Sequence, residues 1–279
     1  MKDQIRYGDD YRFIPAFSFK SGELLEVTTD VSCYVDQIVN VVLIEANDQL
    51  VIVDTGMPKS SEKLISLIES RHNKGIKLAA ILLTHGHFDH VGTVVDIVDK
   101  WNVPVFAHET ELPYLTGKLD YPEPDSSVEG GFVAKISRFF PNEAINLGEK
   151  VEALPTTGQV PFLDEFTWVH TPGHTLGHVS YFRKRDGLLL AGDAFVTLRQ
   201  DSLYQVVTQK GEVSGPPRYF TTDWDSSYDS VKRLANLKPS IAITGHGPPI
   251  KETELTEGLR HLVDHYQDVA VPDNGRYSH

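Results

Sequence analysis

Four short apolar runs in this chain each lead into a histidine or an aspartate. Ala79–Leu83 runs into Thr84-His85-Gly86-His87-Phe88-Asp89-His90, and Phe166–Val169 into His170-Thr171-Pro172-Gly173-His174. Leu188–Leu190 runs into Gly192-Asp193, and Ile241–Thr244 into Gly245-His246. Short apolar runs bounded by turn residues read as buried strands. Loops at strand ends are where such folds gather their chemistry. One site drawing on these four loops spans positions 85 to 246, which makes residues 1–279 a single domain of two internal halves.

The rest of the chain fits that frame. Val41–Ile44 and Leu50–Val53, on either side of Ala46-Asn47-Asp48, read as a hairpin. Ser60–Arg71 puts Leu64, Ile65, Leu67 and Ile68 on one side of a helix, and Val91–Trp101 does the same with Val94, Val95, Ile97 and Val98. Val103–Ala107 is a short strand. This β-β-α-β-α-β order places helices outside a mixed sheet. Residues 112–164 are rich in proline and glycine and read as an insertion, with helix around Phe132–Phe140, that covers a site. Strands return at Phe166–His170, Val179–Phe182 and Leu188–Leu190. A helix at Tyr228–Leu237, the strand Ile241–Thr244, a last helix at Glu252–Tyr266 and a polar tail complete the chain. The core is expected over about 35–250, with 251–279 as the C-terminal helix and tail.

Composition narrows the function. Lys and Arg number 26 against 39 Asp and Glu, a net charge of −13, which weighs against a nucleic-acid partner. No apolar run approaches the ~18–20 residues of a membrane span. The N-terminal stretch lacks the apolar core of a secretory signal. Cys33 is the single cysteine; it rules out an intrachain disulfide and a Cys-rich zinc ribbon, and is read as an inert small hydrophobe in a reducing cytoplasm.

The histidine string is the most specific motif. If the preceding strand continues through it, His85 and His87 point to the same side, while Asp89 and His90 sit in the turn entering the next helix. Imidazoles with a carboxylate suit a borderline metal such as zinc. Four such residues cannot fill two metals; His174, Asp193 and His246 stand at similar junctions.

Together, His85, His87, Asp89, His90, His174, Asp193 and His246 resemble the complete ligand set of the metallo-β-lactamase superfamily, with Asp54 in Val53-Asp54-Thr55-Gly56 matching its upstream acidic motif. The resemblance covers about residues 35–250. It implies an α/β fold, a four-layer αββα sandwich of two mixed sheets, with a dinuclear site. By position, His85, His87 and His174 would bind the first of two Zn²⁺ ions and Asp89, His90 and His246 the second, with Asp193 bridging; iron or manganese would suit the same ligands. Such ions, ~3.5–4 Å apart, turn a shared water into hydroxide at neutral pH. Asp89 would move a proton to the leaving group, and Asp54 would orient a ligand histidine.

The branches of the family differ in detail. Acyl-homoserine lactonases share the chain's size, the string with Phe88 and the aspartate. They carry a tyrosine three residues past that aspartate, where this chain has Val196; Tyr204 is a candidate substitute. Glyoxalase II-like thioesterases add a helical domain for which the 33 residues after His246 leave no room. The chain most resembles a broad bacterial group of metal-dependent hydrolases. The expected activity is hydrolysis of a small ester, lactone or thioester by a cytoplasmic enzyme, and a homodimer is compatible with it. The alternative is a mononuclear-iron persulfide dioxygenase, whose branch uses positions like His85, His174 and Asp193. His170 and His178 are expected to support ligands rather than touch metal, His108 to bracket a helix start, and His72, His261, His265 and His279 to be solvated. Phe132, Phe139, Phe140, Phe195 and Tyr204 are candidates for lining an apolar pocket.

Overall fold

A computed structural model describes residues 5–12, 18, 20–129, 131–198 and 212–278, with the side chains of 131–133 outside the description. The described residues fall into two compact units.

The first unit takes in the described residues 5–12 with Ser21–Tyr121 and 141–164. Its sheet has seven strands in sequential order: β1 (Leu24–Glu26), β2 (Val31–Asp36), β3 (Val39–Ala46), β4 (Gln49–Val53), β5 (Lys77–Leu82), β6 (Val105–Ala107) and β7 (Val151–Ala153). Pairing is antiparallel from β1 to β4 and parallel from β4 to β7. The switch follows from the connections. β3 and β4 are joined by Asn47-Asp48, both at positive φ, and Ala46 faces Gln49 across the turn; this two-residue primed turn matches strand twist. β4 reaches β5 through α1 (Ser61–His72), which buries Leu64 and Ile68. β5 reaches β6 through α2 (Val94–Trp101), which buries Val94, Val95, Ile97 and Val98 and stops at left-handed Asn102. Parallel neighbours need such crossovers. β7 lies inside the stretch read as an insertion. It pairs with β6, but of its three residues only Val151 is buried, so it leaves no periodic trace in the sequence. A short helix, α3 (Leu112–Leu115), follows β6.

Cys33 on β2 is fully buried, and burial pushes its thiol up to about 12. A thiol reagent at pH 8 is therefore expected to leave the native protein untouched and to titrate the thiol only after denaturation. Rapid labelling of the native chain would contradict this placement.

The second unit comprises Ser18, Lys20 and the described residues of 122–140 and 165–278. Its five-stranded sheet has the order β12-β11-β10-β9-β8. The strands are β8 (Phe166–His170), β9 (Val179–Arg183), β10 (Leu188–Gly192), β11 (Ile241–Thr244) and β12 (Ile250–Lys251). Only β10 and β11 are parallel, because α5 (Trp224–Asn236) lies on the connection between them. Asp223 starts α5 by accepting the Ser226 N–H at 2.9 Å. α4 (Gly131–Ile136) falls where helix was expected, and α6 (Glu252–Asp264) is followed by α7 (Tyr266–Val269). Leu189, Ala191, Val231, Leu234, Leu255, Leu259 and Leu262 build one apolar core, each large side chain contributing about 1.5–3 kcal/mol. Phe195 is in this core and fully buried, which corrects the expectation that it lines a pocket.

Candidate metal centre

In the first unit the histidine string leaves the sheet early. β5 ends at Leu82, so His85 and His87 are not on a continued strand. Their rings nevertheless lie 4.6 Å apart, and His85 is 4.2 Å from His90. Other contacts gather them. The His90 N–H donates to the His87 carbonyl at 2.9 Å, closing a turn, and the His90 carbonyl accepts the Thr55 N–H at 2.7 Å. All four residues, Asp89 included, are buried.

Asp54, at the end of β4 with φ of 59°, is the hub behind them. Its carboxylate accepts the Thr84 N–H and the Thr84 hydroxyl, each at 2.8 Å, and faces His90 Nδ1 at 2.8 Å. A carboxylate is acceptor-only, so His90 Nδ1 carries the proton. The Thr84 hydroxyl donates its hydrogen bond to Asp54 and therefore accepts from His85 Nδ1 at 3.0 Å. Both histidines therefore carry their lone pair on Nε2.

The second unit repeats the device. The Thr221 hydroxyl donates to the Pro217 carbonyl at 2.8 Å, so it accepts from His174 Nδ1 at 3.2 Å. Asp193 follows β10 and His246 follows β11, both buried. Asp193 Oδ2 stands 3.5 Å from His174 Nε2 and 3.4 Å from His246 Nε2. Two donors held ~2.0–2.2 Å from one ion at the tetrahedral angle are about 3.3–3.6 Å apart. The donor set and its spacing thus fit a carboxylate oxygen and an imidazole nitrogen that could hold one divalent ion.

The supporting histidines show the opposite pattern. His178 Nε2 accepts the Asp193 N–H at 2.9 Å, and its Nδ1 turns to Thr171 at 2.8 Å. It fixes the backbone of Asp193 with the nitrogen a ligand would use. His170 Nε2 donates to the Leu176 carbonyl at 2.9 Å. His108 accepts the Thr110 N–H and caps the turn at Glu109–Glu111. His72 departs from the solvated reading: it is half-buried, accepts the Leu78 N–H at 2.9 Å and packs edge-on to Trp101.

Two first-unit residues carry no signal in the sequence. Glu111 is fully buried and accepts the Gly86 N–H at 3.0 Å. Tyr121, buried beside His87, donates its hydroxyl to the same carboxylate. Burial and then the charge of Glu111 push that hydroxyl well above its usual range, so it remains a donor. Nothing in His108-Glu109-Thr110-Glu111 says which acid turns inward; that depends on the cap at His108.

Of the proposed pocket aromatics, Phe140 is half-buried against Tyr219 and Phe220, with centroids 5.9 and 6.1 Å away. Phe220 meets His174 edge-on at 6.3 Å. Phe139 is 55% exposed. The side chain of Phe132, and Tyr204, lie outside the described residues. Val196 is buried, exchanging backbone bonds with Ser214.

Comparison with known proteins settles the family. The sequence model of the metallo-beta-lactamase superfamily matches residues 34–246. The chain belongs to the metallo-β-lactamase superfamily. Its two mixed sheets with helices are the α/β fold expected of that superfamily. A probable metallo-hydrolase of Bacillus subtilis (strain 168), YflN, is 41% identical over 92% of this chain and 98% of its own. A hydroxyacylglutathione hydrolase of Bdellovibrio bacteriovorus is 26% identical over 75% of this chain and 62% of its own. The crystal structure of TTHA1623 in a di-iron-bound form superposes with a TM-score of 0.54 at 29% identity, covering 76% of this chain and 89% of that one. Among the described residues no helix is long and apolar enough to cross a membrane.

If Asp54 orients His90 as argued, Asp54→Ala is expected to weaken metal binding about 10–100-fold. Competition with a chromophoric chelator measures this directly; an unchanged affinity would remove Asp54 from the site.

Proposed function

We propose that the two histidine–aspartate sets act together as one dinuclear metal centre that hydrolyses a small acyl compound. His85, His87 and His174 would hold one ion, and Asp89, His90 and His246 the other, with Asp193 shared. The single observation that carries this reading is the placement of Asp193 Oδ2 at 3.4–3.5 Å from two imidazole nitrogens. Bound there, divalent metal would supply Lewis-acid polarisation and a water acidified toward neutral pH.

The chain's own residues do the rest. Asp54, Thr84 and Thr221 fix the histidine tautomers, and His178 holds the backbone of Asp193. Asp89, buried beside His90, is assigned the transfer of a proton to the leaving group. The aromatic group of Phe140, Tyr219 and Phe220 next to His174 favours an apolar acyl portion. Likeness to a hydroxyacylglutathione hydrolase favours a thioester over a lactone, and Val196 in place of a tyrosine argues in the same direction. The residues are read as one domain, working in the cytoplasm on a diffusible substrate.

The test is a panel of acyl thioesters, lactones and phosphodiesters offered to the metal-loaded protein, with oxygen uptake on glutathione persulfide run in parallel. Preferential thioester cleavage supports the reading. Oxygen consumption with one iron per chain would replace it with the dioxygenase.

A further inference from the structure

Gly86 separates two of the histidines assigned to metal, and its N–H is one point at which the first unit grips that loop. The strand has already ended, so the pleat does not aim His85 and His87. The Gly86 N–H is instead shared between Glu111 Oε2 and the Tyr121 hydroxyl, both at 3.0 Å. Tyr121 donates onward to the same Glu111 oxygen, which closes a three-membered hydrogen-bonded clamp. Its ring lies 4.6 Å from the His87 ring and stacks on Tyr114 at 4.1 Å. The clamp tolerates no side chain at 86: a Cβ there would lie 2.6 Å from the Tyr121 oxygen and 3.0 Å from Leu115. This gives the glycine of the His-Gly-His sequence a physical reason.

A carboxylate with no solvent exposure is expensive, because burial strips it of its hydration. A surface-facing serine or asparagine would hold one N–H more cheaply. The buried charge gains a function if a cation sits on the far side of the loop it holds.

We propose that Glu111 and Tyr121 are positioning residues of the metal centre: they fix the angle between the His85 and His87 imidazoles through the Gly86 N–H. The inference rests on the reading that His85 and His87 hold metal.

Glu111→Gln keeps an acceptor for Gly86 and removes the charge; Tyr121→Phe keeps the ring and removes the hydroxyl. Both full-length variants are stripped with chelator and titrated with Co²⁺ and Zn²⁺ against a chromophoric competitor. Circular dichroism and thermal unfolding of the metal-free proteins are recorded alongside. The expected result is metal affinity about 10–100-fold weaker, with altered visible Co²⁺ bands and a metal-free unfolding midpoint near that of the wild type. Wild-type affinity and an unchanged Co²⁺ spectrum would overturn the inference while leaving the metal reading intact. A lowered metal-free midpoint with unchanged affinity would also overturn it, by making the clamp a fold staple. Wild-type protein that takes up no Co²⁺ would sink both.

Discussion

Asp193→Asn is expected to abolish the second metal equivalent and to lower kcat/KM by about a thousandfold or more. The carboxylate oxygen sits 3.4 and 3.5 Å from the nitrogens of His246 and His174. An amide is a neutral and weaker ligand, so the shared oxygen loses its charge. Losing one ion forfeits the several kcal/mol of transition-state stabilisation that a metal supplies, and each 1.36 kcal/mol is a factor of ten in rate. The fold should survive, because the backbone of Asp193 is fixed independently by His178 through its N–H. Metal content and hydrolysis measured on the same preparation check this. A variant with wild-type stoichiometry and rate would show that Asp193 is not shared.

Gly173→Ala is expected to be strongly destabilising. Gly173 has φ of 134°, where side chains other than hydrogen are strained. A Cβ would also lie 2.4 Å from the backbone N and Cα of Ser227, at the first turn of α5. Backbone cannot swing aside as a flexible side chain can, so the loop or the helix must move. Strain at such a φ costs of order 1–3 kcal/mol and overpacking a similar amount, so destabilisation of about 3 kcal/mol or more is expected. The Gly173 carbonyl also accepts the N–H groups of Thr222 and Asp223, next to the Thr221 that orients His174. Activity should therefore fall in whatever protein remains folded. Urea denaturation measures the stability loss, and a change below about 1 kcal/mol would contradict the packing described.

What the sequence made legible follows from how strongly each element announces itself. β8 and β11 fall on the residues read as strands, since Phe166–His170 and Ile241–Thr244 are apolar runs cut off by turn residues. α1 and α2 were visible through their apolar spacing. β7 was not, because three residues with one buried side chain have no periodicity. The apolar spacing carries the last helix on to Tyr266; the structure interrupts it at His265, whose φ of −126° and ψ of 28° are not helical. The seven candidate ligands could be named because histidine and aspartate at strand ends form a pattern along the chain. Asp54 and His178 are legible beside them as supporting groups; the rest are not. Thr84, Thr221, Glu111 and Tyr121 are ordinary residue types whose roles arise only from tertiary proximity. Expecting the strand to run on through His85 and His87 was a natural extension of the period-two rule. The structure replaces it with a loop held at Gly86, and that difference is what exposes the clamp.

In the proposed reading, this chain holds two divalent ions through His85, His87, Asp89, His90, His174, Asp193 and His246. Metal analysis of the purified, active protein tests it most directly. The account predicts close to two equivalents per chain, falling in step with activity on chelation and returning with it on reconstitution. Well under one equivalent of any transition metal in fully active protein would contradict it.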